Sequence, residues 1–229
     1  MIEIKNVSKR YLKQTALDDV SLLIPRGKIV GLVGANGSGK STLLKIISGL
    51  ARPTKGSVSI NGNVVNRTSS SYISYLSELD AYYPFYTVQE TIDFFASQFA
   101  DFEINKAEEI RQFMKLETNK KVKYLSKGSR GRLKILLALS RNVPVILMDE
   151  PLSGLDPMVR ESIVKGLISF IDIEKQTIII TTHEISEIEP LLDIVVVLKE
   201  GKIVKIADVE EIRQTENISI VEWVKKIYS

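Results

Sequence analysis

Two short stretches of the chain carry side chains whose types and spacing suit phosphate chemistry. The first, Gly34-Ala-Asn-Gly-Ser-Gly-Lys-Ser41, fits the pattern G-x-x-x-x-G-K-[ST]. Its glycines, Gly34, Gly37 and Gly39, let backbone N–H groups turn inward on phosphate oxygens, with Asn36 and Ser38 between them. Lys40 brings a point charge to the outer phosphates, and the Ser41 hydroxyl suits Mg²⁺. Thr42 follows at the start of a helical pattern whose positive end faces the anion. The second stretch, Val145-Ile-Leu-Met-Asp149-Glu150, is an apolar run that ends in two carboxylates. Ligands of open α/β sheets lie at the carboxyl ends of strands, which places Asp149 beside the loop. Asp149 suits the Mg²⁺ shell, and Glu150 is placed to take a proton from an attacking water. Together the two stretches imply a Mg²⁺-dependent nucleotidase.

The elements that must position these residues follow from the apolar pattern. Short β-type runs come first: Ile2–Ile4, Val20–Ile24 and Ile29–Val33. The glycine loop leads into a helix with apolar residues at Leu43, Leu44, Ile47 and Leu50, and Ser57–Ile60 with Asn61-Gly62 reads as a hairpin arm. Residues 87–140 read as mostly helical, with exposed aromatics at Phe94, Phe95, Phe99 and Phe102. Buried strands then alternate with helices: Val145–Met148, a helix over Met158–Ile171, Thr177–Thr181, a short helix, Ile194–Leu198, and Ile203–Val204 after a turn. That order predicts an α/β fold with a mainly parallel sheet, an antiparallel β arm and a helical region. The tail places Ile220, Val224 and Ile227 on one helical face that docks on the core.

Composition limits the alternatives. A hydrophobic content of 44% and a charged content of 26% are ordinary for a globular core. The net charge of +3 makes no case for nucleic acid, although Tyr124-Leu-Ser-Lys-Gly-Ser-Arg-Gly-Arg132 gathers cations around glycines. Absence of cysteine excludes disulfides and thiolate metal sites. The N-terminus lacks a signal peptide's apolar run, and runs such as Ile194–Leu198 fall well short of the ~20 residues that span a bilayer. The expectation is a soluble, cytoplasmic protein that serves a membrane only through a partner.

With these residues in place, the sequence resembles the ATP-binding subunit of ABC transporters over nearly its whole length, and most resembles ATPases of bacterial ABC-2-type exporters. The resemblance implies a P-loop NTPase core in one nucleotide-binding domain, 1–229, with approximate subdomains 1–78, 79–140 and 141–229. Leu125-Ser-Lys-Gly-Ser129 stands where the family has a signature of the type L-S-G-G-Q. Ser126 and Gly128 would then dock on ATP held by a second subunit, at a helix start whose N–H donors suit a γ-phosphate. Ser153-Gly-Leu-Asp156 is similar to the loop that lines the dimer seam, with Asp156 facing the partner. His183, the single histidine, resembles the switch histidine at the γ-phosphate, and Tyr11 the aromatic that stacks on adenine.

Two departures stand out. Glu78 occupies the place of the family's usual glutamine and could ligate Mg²⁺, while Gln89 falls too late. The signature has Lys127 for its first glycine and Ser129 for its glutamine, which adds a cation and shortens a polar contact. The implied cycle has two like or unlike copies closing head to tail on Mg-ATP, with Glu150, His183 and Lys40 as catalytic residues. A separate transmembrane permease would receive the work at the inner face of the membrane; the aromatic density of Leu79–Tyr86 makes the helical region entered there a candidate docking surface, with core packing of its rings as the equal alternative. The runner-up is a relative acting on ribosomes or DNA, disfavoured by the single phosphate loop; a third reading is an ATP-binding module with little turnover.

Overall fold

The computed structural model describes residues 1–12, 14–79, 82–216 and 218–228. Strands β1 (Ile2–Tyr11) and β2 (Gln14–Ile24) form a long antiparallel hairpin, and β3 (Ile29–Val33) enters the core. After helix α1 (Lys40–Ile47), β4 (Lys55–Ile60) and β5 (Asn63–Val64) close a four-stranded arm in the order β2-β1-β4-β5. The expected hairpin at Asn61-Gly62 is present, both residues taking positive φ.

The second sheet has six strands in the order β10-β9-β3-β8-β7-β6. Its members are β3, β6 (Ile73–Leu76), β7 (Val145–Asp149), β8 (Thr177–Thr182), β9 (Ile194–Lys199) and β10 (Lys202–Asp208). All adjacent pairs are parallel except β9 with β10. Every residue of β3, β7 and β8 is buried, as expected of strands covered on both faces. One face packs on α1 and the arm, and the other on the helical region. Strand β6 was not read from the sequence: four residues that include Ser74 and Tyr75 carry no continuous apolar run.

Helices α2 (Val88–Gln98), α3 (Ile104–Phe113) and α4 (Lys127–Leu139) make up the expected helical stretch. Thr87 and Glu90 form a capping box at the start of α2, and Ser126 caps α4. The four phenylalanines predicted to be exposed are half-buried instead. Phe95 and Phe102 pack on the core, and the Arg141 guanidinium stacks on Phe99 at 3.8 Å from its centroid. Those four rings have found partners within the helical region, whereas Tyr83 (47% exposed) and Phe85 (59%) in the stretch before α2 still offer open faces.

Helix α5 (Pro157–Phe170) follows β7 as predicted, with Asp156 capping it and Pro157 at its first turn. The short helix expected after β8 is two 3₁₀ turns, Ile185–Glu187 and Glu189–Leu191, because Pro190 removes an N–H and blocks a regular turn. Helix α6 (Val209–Glu216) was not foreseen. In α7 (Ile220–Tyr228), Ile220 and Trp223 are buried while Val224 and Ile227 lie half-buried against the same core, so the tail docks as expected. Among the described residues no helix is long and apolar enough to cross a membrane.

Candidate nucleotide and metal site

The phosphate loop runs between buried β3 and α1, and its backbone is set for an anion. Gly39 precedes α1 at φ 107° and no side chain caps the helix, which leaves its first N–H groups for a ligand. A Cβ on Gly39 would meet the Ala16 carbonyl at 2.5 Å, so positive φ and close packing both demand glycine there. Gly37 (φ 81°) borders open space on the ligand side. Gly34 packs on the Leu198 carbonyl and on Ser38, whose buried hydroxyl has no hydrogen-bond partner. Lys40 is only 5% exposed; its ammonium donates to the Gly34 carbonyl at 2.8 Å and the Ala35 carbonyl at 3.3 Å.

Strand β7 delivers the two carboxylates side by side. Asp149 is 2% exposed and accepts from three hydroxyls: Ser41 at 2.9 Å, Thr181 at 2.8 Å and Tyr75 at 3.2 Å. Burial first, and the neighbouring Asp149 carboxylate second, push the Tyr75 phenol well above its usual range, so it remains a donor. The next residue, Glu150, leaves the strand in the left-handed region (φ 48°), which turns its side chain toward the loop. Its amide N–H is anchored on the Thr181 hydroxyl at 2.9 Å. Its Oε2 lies 2.8 Å from His183 Nδ1 and its Oε1 3.4 Å from Lys40 Nζ. That second contact is an ion pair without hydrogen-bond geometry, so Oε1 keeps a lone pair unused.

A cavity of about 420 Å³ opens above this constellation. It is lined by ten of the predicted residues: Tyr11, Asn36, Gly37, Gly39, Lys40, Ser41, Thr42, Glu78, Glu150 and His183. Tyr11 is 47% exposed, with the Lys9 ammonium 4.8 Å from its ring centroid. Gln14 and Ala16 also line the cavity and were not anticipated, and Ser153, expected only on the loop at the dimer seam, lines it too. Thr181 and Tyr75 were missed as well; the only sequence signals were hydroxyls interrupting otherwise apolar strands.

Ser126, Gly128 and Asp156 lie outside this cavity, and each has a local task. Ser126 Oγ accepts from the Ser129 amide at 3.1 Å, and Asp156 Oδ1 from the Val159 amide at 3.0 Å. A Cβ on Gly128 would meet Val159 of α5 at 2.8 Å, so the glycine lets two helices approach. The Lys127 ammonium lies against Gly154 in its own chain.

The residues present fit Mg-ATP. Ser41 and Asp149 are hard oxygen donors of the kind Mg²⁺ takes, one or two at a time alongside substrate phosphates. Among the described residues no cluster of three or more metal-ligating side chains provides a closed cage elsewhere. The uncapped helix, the glycine turns, the buried Lys40 and the unpartnered Ser38 hydroxyl supply donors to a polyphosphate.

Comparison with known proteins agrees with this chemistry. A family model described as ABC transporter matches residues 17–153. The chain is 32% identical over 205 residues to the lantibiotic transport ATP-binding protein SrtF of Streptococcus pyogenes, covering 89% of each. It is 34% identical over 224 residues to the sulfate/thiosulfate import ATP-binding protein CysA of Synechocystis sp., covering 92% of this chain and 61% of that protein. Among solved structures, a dimeric ATP-binding cassette in a post-hydrolysis state, bound to ADP and Pi, superposes with a TM-score of 0.81 at 28% identity, over 91% of this chain and 98% of its own.

Proposed function

Because the chain belongs to the ABC transporter family as its ATP-binding, Mg-dependent ATPase subunit, we propose that it powers a separate permease of an exporter through head-to-tail closure of two such subunits. The observation that carries the catalytic part is the placement of Glu150 between His183 and Lys40 at the mouth of the loop. Export is favoured by Lys127 in the signature and by the compact chain with its short helical region, the features that resemble exporter ATPases. The domain, 1–229, works as one unit at the inner face of the membrane, with Tyr83 and Phe85 offered to the permease.

Each residue has a stated task. Lys40 shifts its ammonium from two carbonyls and a carboxylate to the outer phosphates, while Gly34 to Thr42 hold them through backbone and hydroxyl donors. Ser41 and Asp149 would hold Mg²⁺, which would supply positive charge against the outer phosphates. Glu150 Oε1, with its unused lone pair, accepts a proton from the attacking water. His183 donates from Nδ1 to Oε2, which fixes the carboxylate's rotation, while its Nε2 lies 3.7 Å from a Glu184 carboxylate oxygen. Tyr11 stacks on the base; Ser126, Gly128 and Asp156 complete the partner's site; Glu78 lines the metal side of the cavity.

The test is Mg-ATP hydrolysis per subunit against protein concentration, with Glu150→Gln as control. A rate that rises with concentration and falls by about 10²–10⁴ in the variant is expected, given what a general base contributes. Undiminished turnover in Glu150→Gln removes Glu150 from the role. Zero turnover in the unmodified protein, even with its permease, favours a binding module instead.

A further inference from the structure

Asp149 is held by hydroxyls on both oxygens, and two of the three come from outside the phosphate loop. Strand register explains both. Asp149 of β7 pairs with Thr181 of β8, so the two side chains share one face at contact distance. Tyr75 of β6 pairs with Leu147, two residues before Asp149 and on the same face. A phenol is long enough to span that diagonal, and its hydroxyl arrives on Oδ2. Thr181 does a second thing: the same Oγ1 that donates to Asp149 accepts the amide N–H of Glu150, whose backbone is left-handed.

We propose that Tyr75 and Thr181 are positioning residues for the divalent cation, a two-sided hydroxyl clamp that sets the direction of the Asp149 carboxylate and ties it to the backbone of Glu150. The chemistry of the donors carries the argument. An ammonium or guanidinium would orient Asp149 equally well but would cancel the charge that must attract a cation. Neutral hydroxyls fix the direction and leave the charge in place. Outer-sphere partners of this kind typically govern 10–100-fold in metal affinity. Thr181 adds register between metal and base, since one hydroxyl holds both the Asp149 carboxylate and the Glu150 amide. Tyr75 stands on the strand that runs directly into Ser77 and Glu78, so the clamp joins the metal carboxylate to the cavity wall where Glu78 lies.

The inference rests on Asp149 as the metal carboxylate, and its test separates the two. Affinity for a fluorescent ATP analogue is titrated against Mg²⁺ in the Glu150→Gln protein, which suppresses turnover, and repeated in EDTA. In that background Tyr75→Phe should raise the Mg²⁺ concentration for half-maximal tightening about tenfold and leave the EDTA affinity unchanged. Thr181→Val should do the same or more, and Thr181→Ser should restore it. Asp149→Asn is the reference and should abolish the Mg²⁺ effect. An unshifted Mg²⁺ curve in Tyr75→Phe beside a lost effect in Asp149→Asn overturns the clamp and leaves Asp149 in its role. Equal weakening of nucleotide binding with and without Mg²⁺ also overturns it, because a general loosening of the site has no preference for the metal. An unchanged curve in Asp149→Asn removes the premise, and the clamp with it.

Discussion

Gly128 carries two demands that one methyl group can separate. By resemblance it belongs to the signature that meets a partner's nucleotide; by geometry it is the point where α4 approaches α5. In Gly128→Ala the new Cβ would stand 2.8 Å from one methyl of Val159 and 3.3 Å from the other, where about 3.5–4 Å is comfortable. One of the helices must then retreat by several tenths of an ångström. Overpacking of this size costs about 1–3 kcal/mol, and the gain in helix propensity returns less than 1 kcal/mol near a helix start. A net loss of about 1 kcal/mol is expected, or a Tm lower by about 2–4 °C for a chain of this length. Val159→Ala removes two half-buried methyls and costs about 1 kcal/mol alone. It also clears the space, so the double variant should be about 1 kcal/mol more stable than the sum of the singles. Urea unfolding of the four proteins reads this cycle, and ATPase rates run beside it. If packing is the constraint, stability and activity recover together in the double variant. An unchanged midpoint in Gly128→Ala with lost ATPase would refute the packing argument and leave the trans contact as the sole reason for the glycine.

Hydrogen bonds from Arg111 and then Gln112 hold the Glu108 carboxyl down to about 2, so the pair's contribution to α3 is complete above the usual 4.5 and fades as pH falls toward 2; an NMR titration of Glu108 with an ordinary midpoint would contradict this. Arg141 is 4% exposed, pairs with Asp101 and donates to the Ser70 carbonyl at 2.8 Å, so Arg141→Met should cost about 3 kcal/mol in urea unfolding, and adding Asp101→Asn should recover part of it by removing the stranded charge. A double variant no more stable than Arg141→Met alone would sink that explanation.

Legibility in the sequence tracked the distance over which each constraint acts. The phosphate loop could be read because Gly34, Gly37, Gly39, Lys40 and Ser41 each answer to a local need: positive φ, close backbone approach, a charge, a hydroxyl. Strands β7 and β8 could be read because burial on both faces leaves an uninterrupted apolar run. Tyr75 and Thr181 could not, since their contacts with Asp149 span 74 and 32 residues and exist only once three strands are in register. The helical aromatics were misread for a related reason: Phe99 is covered by Arg141, a partner that composition cannot name. Pro190, by contrast, was a local signal for the broken helix after β8, and its effect on the backbone is the expected one.

Strand β6 explains how the site and the helical region constrain each other. It is an edge strand, hydrogen-bonded along β7 alone, so its other flank must be secured by side chains. Alternation along it divides the work. Tyr75 faces Asp149, while Ser74 points the other way and donates to the Ala138 carbonyl at the end of α4, 3.1 Å away. The Ser77 and Glu78 carbonyls, just beyond the strand, accept from Lys134 of the same helix at 3.3 and 2.6 Å. Helix α4 begins at the Ser126 cap and Gly128, and the strand it grips carries the hydroxyl on the metal carboxylate. A rotation of α4 that keeps these bonds must therefore drag β6, and one that spares Asp149 must break them. Two strands and one helix thus leave few ways for the signature end to move without the metal end registering it, and the Ser74, Tyr75 and Lys134 contacts are where that choice is made.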